Sequence, residues 1–383
     1  MIDVIDFIKK HKKNLIFIIA CVLGSTFLLY LPFLLRAFNF VESPGSIGIF
    51  RIYQNFDGLY YTVPALAGGY SPQNIAGLRL EFDLPLEYYA AHLPLYPFFI
   101  WLFTPIMGVL KSMIFVTILF SVLLSLMFYY FLTKLELVKN PVSLVVVFIF
   151  LPRFLITRSV GAPETLFIFL ILGSIYFFEK NKFLLSGFLG ALAVITKLPG
   201  ILLFVAYGMV FLEKMIKEKK ITFNFSWLYL GLIPLGVVAV FSLYAVQYNN
   251  FFAFFNTGGV VPMLYPFSVF NSSAKWVNTV WLEEIILYLF LYLFAVLSLA
   301  KIKYRSIFYF PLAFFIASIF VQHRDLSRYM LPIWPFAAIA IAPILTSKKF
   351  IITLIILLPA IYLYALNFIL SNIIPVADWR PFL

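Results

Sequence analysis

The run from Asn14 to Ala37 is the first of a series of long apolar stretches that recur almost to the end of this 383-residue chain. A stretch of about 20 apolar residues crosses the ~30 Å hydrocarbon core of a bilayer as a helix, which satisfies its own backbone polar groups there. Repeated in series, such runs leave one architecture. The chain reads as an all-α polytopic integral membrane protein, one membrane domain over 1–383. Charged residues make up only 11% of it, against roughly 25% in soluble domains. The net charge of +12 implies no nucleic-acid partner, because Lys and Arg in such a chain first serve to hold loops on the cytoplasmic side. The lone Cys21 excludes an intrachain disulfide.

Lys9, Lys10, Lys12 and Lys13 stand just before the first run. That run is too long for the core of a signal peptide, and no small-x-small cleavage site follows. It reads as an uncleaved first helix, 14–37, with its basic end inside, which puts the long polar loop from 38 outside. Residues 94–110 are short for a span and begin with Pro94 and Pro97; they read as an interfacial or re-entrant helix within an outer loop, 38–111, that carries juxtamembrane helices, with a full crossing as the alternative. Further spans are expected near 112–133, 142–157, 163–178, 184–196, 199–213, 227–247, 283–300, 306–322, 329–345 and 350–370, with an outer tail at 371–383. With about eleven spans, the clusters at Lys134 and Lys139, Lys180 and Lys182, Lys214 to Lys220, Lys301 to Arg305, and Lys348 and Lys349 all fall inside. The runs 184–196 and 199–213 are too short to cross alone and read as a pair meeting near a cavity, broken at Pro199-Gly200.

The outer loop holds Glu42, Asp57, Glu81, Asp83 and Glu87, a large share of the chain's few acids. Loops of that length are mostly functional or disordered, and its aromatics argue against disorder. Asp57 precedes Gly58, which allows close backbone approach, and is followed by Tyr60 and Tyr61, either an interfacial belt or a sugar-stacking wall. Asp57 is the candidate catalytic base. His92 reads as a phosphate donor or a helix cap, and Glu164 as a helix-terminal acid favoured by the helix dipole. Lys197 is a snorkelling lysine or a cation for a lipid phosphate. In His323-Arg324-Asp325-Leu326-Ser327-Arg328-Tyr329, Asp325 can pair with Arg324 or Arg328, leaving an arginine whose planar fork suits phosphate. Walker, GxGxxG and zinc-spaced motifs are absent from the sequence.

Five segments in order carry a resemblance. Asn55-Phe56-Asp57-Gly58 resembles the Trp-Asp segment of the GT-C superfamily of polytopic glycosyltransferases, and within it the family of the second GPI mannosyltransferase and its prokaryotic relatives. His92-Leu93-Pro94-Leu95-Tyr96-Pro97 is similar to that family's Phe-Pro-Leu-Tyr-Pro, and Ala162-Pro163-Glu164-Thr165-Leu166-Phe167 to its Tyr-Ser-Glu-Ser-Leu-Phe. Thr196-Lys197-Leu198-Pro199-Gly200 resembles Thr-Arg-Ser-Asn-Gly, and Arg328-Tyr329-Met330-Leu331-Pro332 resembles Arg-Tyr-x-Leu-Pro. Phe56 stands in place of the usual Trp, and Lys197 in place of Arg. The resemblance implies a GT-C-like fold and an inverting transfer of a sugar, mannose by analogy. The donor would be a polyprenyl-phosphate sugar and the acceptor a hydroxyl on a lipid, glycan or protein.

On this reading Asp57 is catalytic, and His92, Glu164, Lys197, Arg324, Arg328, Tyr329, Tyr60 and Tyr61 bind substrate. No cofactor is required, although the loop acids leave room for a divalent cation. The membrane would be a prokaryotic plasma membrane, or the endoplasmic reticulum of a eukaryote. A lipid-carrier flippase or small-solute transporter is the competing expectation. It would place polar residues at the midplane of interrupted helices, usually with an internal repeat.

Overall fold

The computed structural model describes residues 2–36, 48–55, 57–82, 84–219, 224–257, 262–274 and 282–383. Glu42, Phe56, Asp83, Lys220 and Lys275 lie outside these. The described residues are helical throughout, with two isolated β-bridges. In order they form α1 (Ile2–Leu34), α2 (Phe50–Tyr53), α3 (Gly58–Ala67), α4 (Pro72–Gly77), α5 (Leu95–Met107), α6 (Val109–Lys134), α7 (Pro141–Phe148), α8 (Pro152–Thr157) and α9 (Glu164–Glu179). Then come α10 (Phe183–Thr196), α11 (Leu202–Glu218), α12 (Leu232–Tyr248), α13 (Glu283–Ser298), α14 (Ser306–Ser318), α15 (Leu326–Tyr329), α16 (Trp334–Ala340), α17 (Ala342–Leu345) and α18 (Lys348–Ser371).

Five helical stretches among the described residues are long and apolar enough to cross a membrane: Ile5–Leu34, Val109–Lys134, Leu198–Glu218, Phe225–Tyr248 and Lys348–Ser371. The protein is thus a helical, membrane-embedded one. Its surface agrees: Ile106, Ile216, Phe290 and Ile356 are each 70–76% exposed, apolar side chains that hydrocarbon accepts more readily than water does. The helices differ in depth. In α6, 61% of the apolar window is buried against 6% in α18, so α6 is central and α18 lies at the lipid-facing rim. Around α6 pack α1, α5 and α9, with α10 on α9 and α12 on α10.

Helix boundaries depart from expectation where proline intervenes. The stretch 142–157, expected as one span, is α7 and α8 with a break between them. Pro152 opens α8, and Leu151 before it is extended at φ −56°, ψ 125°, since a residue preceding proline is pushed out of the helical region. The expected span 329–345 is likewise divided into α15, a 3-10 turn at Leu331–Ile333, α16 and α17, with Pro332, Pro335 and Pro343 opening the last three. The stretch expected at 199–213 instead runs on to Glu218, and the first helix starts at Ile2 rather than 14.

The stretch expected as an outer loop, where described, carries α2 to α5 and a 3-10 turn at Leu86–Ala91. α5 has 13 residues, about 20 Å at 1.5 Å per residue, too short to cross alone. It turns back along α6 through Gly108, whose φ of +78° only glycine adopts without strain. Phe103 stacks edgewise on Phe115 at 4.8 Å and Phe99 on Phe120 at 5.1 Å, so the two helices run antiparallel. The segment before Asp57 is tied to the far end of the chain. Asn55 Nδ2 donates to the carbonyls of Ile369 (3.2 Å) and Asn372 (2.8 Å), and Ile374 N–H donates to Gln54 O at 2.9 Å.

Candidate active site

Asp57 occupies the N-cap position of α3 without capping it through its side chain. Its carbonyl, instead, accepts from Tyr60 N–H (3.0 Å) and Tyr61 N–H (3.3 Å). The carboxylate is therefore not consumed by local structure, and at 45% exposure it is open to a substrate. Gly58 holds the next position because the chain there lies against the 158–162 turn. A Cβ on it would sit 2.8 Å from Gly161 O and 3.1 Å from the Met113 sulfur, closer than side chains tolerate.

Glu164 is the first residue of α9, where the helix dipole favours an acid. It is also much more than a cap. Its side chain is 1% exposed, and Oε1 accepts from Lys197 Nζ at 2.7 Å and from Arg328 Nε at 2.8 Å. Lys197 comes from the extended residue between α10 and the Leu198–Ile201 turn, and Arg328 from the four-residue α15. Arg328 then reaches on with Nη1 to 3.8 Å from Asp57 Oδ2. Four ionisable side chains from distant segments thus form one series: Asp57, Arg328, Glu164, Lys197. Burial alone would make the Arg328 guanidinium easier to deprotonate, but Glu164 and then Asp57 outweigh it and hold the charge more firmly than in water. Lys197 Nζ also lies 5.7 Å from the Tyr329 ring centroid, within cation–π range.

His92 forms the other wall. It ends the 3-10 turn Leu86–Ala91 and is 3% exposed. Its ring meets Tyr61 edgewise at 4.6 Å and Tyr60 at 5.6 Å, with Tyr88 at 5.6 Å. The backbone there is held from two sides: Tyr70 OH donates to His92 O, and Tyr244 OH to Ala90 O at 2.8 Å. Burial pushes the imidazole pKa down to about 4, although Asp57 pulls the other way, so at neutral pH His92 is an uncharged hydrogen-bonding group rather than a cation.

The remaining residues of the 323–329 cluster separate. Asp325 pairs with neither Arg324 nor Arg328; its carboxylate takes Arg153, which is 3% exposed and stacks over Phe368 at 4.2 Å. That partner was not foreseen, and the signal for it was an arginine inside an apolar run. Arg324 is exposed and is in none of the ion pairs of the Asp57–Lys197 series. Among the described residues no group of three His, Cys, Asp or Glu side chains is placed to hold a metal ion.

No protein-family model matches the chain, and no curated protein matches it either.

Proposed function

We propose that the protein is an inverting glycosyltransferase of the GT-C type, with about eleven spans, which moves a sugar, mannose on the resemblance, from a polyprenyl-phosphate donor to an acceptor hydroxyl on the outer face. The observation that carries this reading is the pairing of an accessible carboxylate, Asp57, with a guanidinium that Glu164 fixes beside it. Asp57 accepts the proton of the acceptor hydroxyl as its oxygen attacks the anomeric carbon. The bond from that carbon to the phosphate oxygen breaks on the opposite face, and polyprenyl phosphate departs with the electron pair. Lys197 and Arg328 stabilise the charge that develops on it, already oriented before the reaction begins. Tyr60, half-buried, offers a ring face to a sugar, with buried Tyr61 and neutral His92 packed behind it, and exposed Arg324 an outer cation. Phosphate is a fair leaving group, so neither nucleotide nor cofactor is needed; a divalent cation would be an aid. The acceptor is a lipid, glycan or protein, and the membrane a prokaryotic plasma membrane.

The polar series lies at helix ends: Asp57 before α3, Glu164 opening α9 and Lys197 closing α10. A transporter would gather such groups at midplane breaks, usually with an internal repeat, and the sequence shows no repeat. Proteoliposomes given a labelled polyprenyl-phosphate sugar and an acceptor-lipid extract test the transferase reading. Label passing to acceptor without ATP is expected; donor movement across the bilayer with no transfer would contradict it.

A further inference from the structure

A recess of about 450 Å³ opens between the lysine-rich end of α1 and the far end of α6, on a different part of the molecule from Asp57. Its lining includes His11, Tyr129, Thr133, Glu136 and Lys139. The wall is firmly built. Phe7, His11 and Asn14 recur at helical spacing along one side of α1. Phe7 stacks on His11 at 4.3 Å, and its ring lies 5.5 Å from Lys134 Nζ. Tyr129 OH accepts from Asn14 Nδ2 at 2.8 Å and meets His11 Nδ1 at 2.8 Å. While it accepts from Asn14, the phenol keeps its own proton to give; in the tautomer that takes this proton at Nδ1, the imidazole N–H is at Nε2, a donor suited to a phosphoryl oxygen.

We infer that this recess binds the phosphate of an anionic phospholipid in the leaflet that the basic loops face. Basic groups outnumber acids around it: Lys139 in the lining, Lys9, Lys10, Lys12 and Lys13 on α1 and Lys134 at the end of α6, against Glu136 in the lining and Asp6 on α1. Basic groups next to a hydrophobic span attract anionic headgroups. A lipid is preferred to a soluble anion because the recess lies at the ends of α1 and α6, both long and apolar enough to cross a membrane. Ile16 (55% exposed) and Phe17 (52%) lie on the outward face of α1, away from His11, and add hydrocarbon-facing surface just beyond the recess. Glu136, the acid in the lining, opposes an anion there and is outweighed by the surrounding lysines. The inference is independent of the transfer reaction.

Native mass spectrometry of the purified full-length protein, exchanged into equal phosphatidylglycerol and phosphatidylcholine, tests it. One phosphatidylglycerol should be retained in preference to phosphatidylcholine. Lys139→Gln should weaken that retention about fivefold, the effect of a ~1 kcal/mol lysine–headgroup contact, and His11→Ala should weaken it too. Glu136→Gln should strengthen it, and exposed Lys217→Gln should leave it unchanged. Equal retention of the two lipids, or indifference to Lys139→Gln and His11→Ala, would overturn the site. Displacement of the lipid by millimolar inorganic phosphate would overturn the lipid assignment in favour of a soluble anion.

Discussion

Arg328 Nε donates to Glu164 Oε1 over 2.8 Å, and neither side chain is more than 8% exposed. A buried pair of this kind adds little net stability over apolar packing, but it is costly to break from one side. It therefore serves better as a positioning device than as a stabiliser: it fixes the guanidinium whose other end stands by Asp57.

Glu164→Ala should thus be the most destabilising change in the site. Removing the acceptor breaks the short contacts of both Arg328 and Lys197 at a buried site, at a cost of about 3–5 kcal/mol. Thermal unfolding in detergent should show a clearly lower midpoint. Glu164→Ala combined with Lys197→Met should recover part of the loss, since it also removes the lysine charge that Glu164 had paired. An unchanged midpoint in the single variant would mean the pair is not formed.

Arg328→Lys keeps the charge but not the reach. One ammonium cannot donate to Glu164 and also stand beside Asp57 as the planar fork does. The expected outcome is a folded protein whose donor affinity falls about tenfold, near the low end of a charge-assisted hydrogen bond's ~1.5–3 kcal/mol. Equal affinity in a binding titration would make the arginine purely structural.

Acidification should weaken the fold through His92. Its pKa is 6.5 when unfolded and about 4 when folded. Between those values the unfolded chain binds a proton that the native one does not. Stability is therefore untouched above pH 6.5 and is lost progressively as pH falls towards 4, by about 3 kcal/mol in all. His92→Gln should flatten that part of the stability–pH curve. A slope of the same size in the variant would assign it to other groups.

Gly58→Ala should harm the site although it adds only a methyl group. The new Cβ would meet the Gly161 carbonyl, which is backbone and cannot turn aside. Overpacking of this kind costs about 1–3 kcal/mol, and here it also displaces the neighbouring Asp57. Transfer should fall further than stability does. Wild-type turnover in Gly58→Ala would show that α3 and the Gly161 turn are not in contact.

Much of this arrangement was legible in the sequence. The membrane class follows from apolar runs, whose length and composition are local properties. Asp57, Glu164, Lys197 and Arg328 stood out one at a time, as ionisable groups beside apolar sequence, which are costly unless used or paired. Their joining was not legible, because Glu164 looked adequately explained as a helix-terminal acid. Nor was the pairing of Asp325 with Arg153, since nearby Arg324 and Arg328 offered themselves first and only tertiary packing brings α8 to α15. The broken helices at Pro152 and Pro332 were hidden by apolar composition, which reads the same across a break as through it.

The claim on which the account turns is that Asp57 removes a proton from the acceptor. Asp57→Asn keeps the size and hydrogen-bonding capacity of the side chain, and at 45% exposure the lost charge is tolerable to the fold. Label transfer should be measured in proteoliposomes holding equal amounts of folded wild-type protein and variant. The account predicts that Asp57→Asn binds the donor and unfolds at the wild-type temperature while transfer falls by about 10²–10⁴-fold, the contribution of a positioned general base. Transfer within a few-fold of wild type would contradict it.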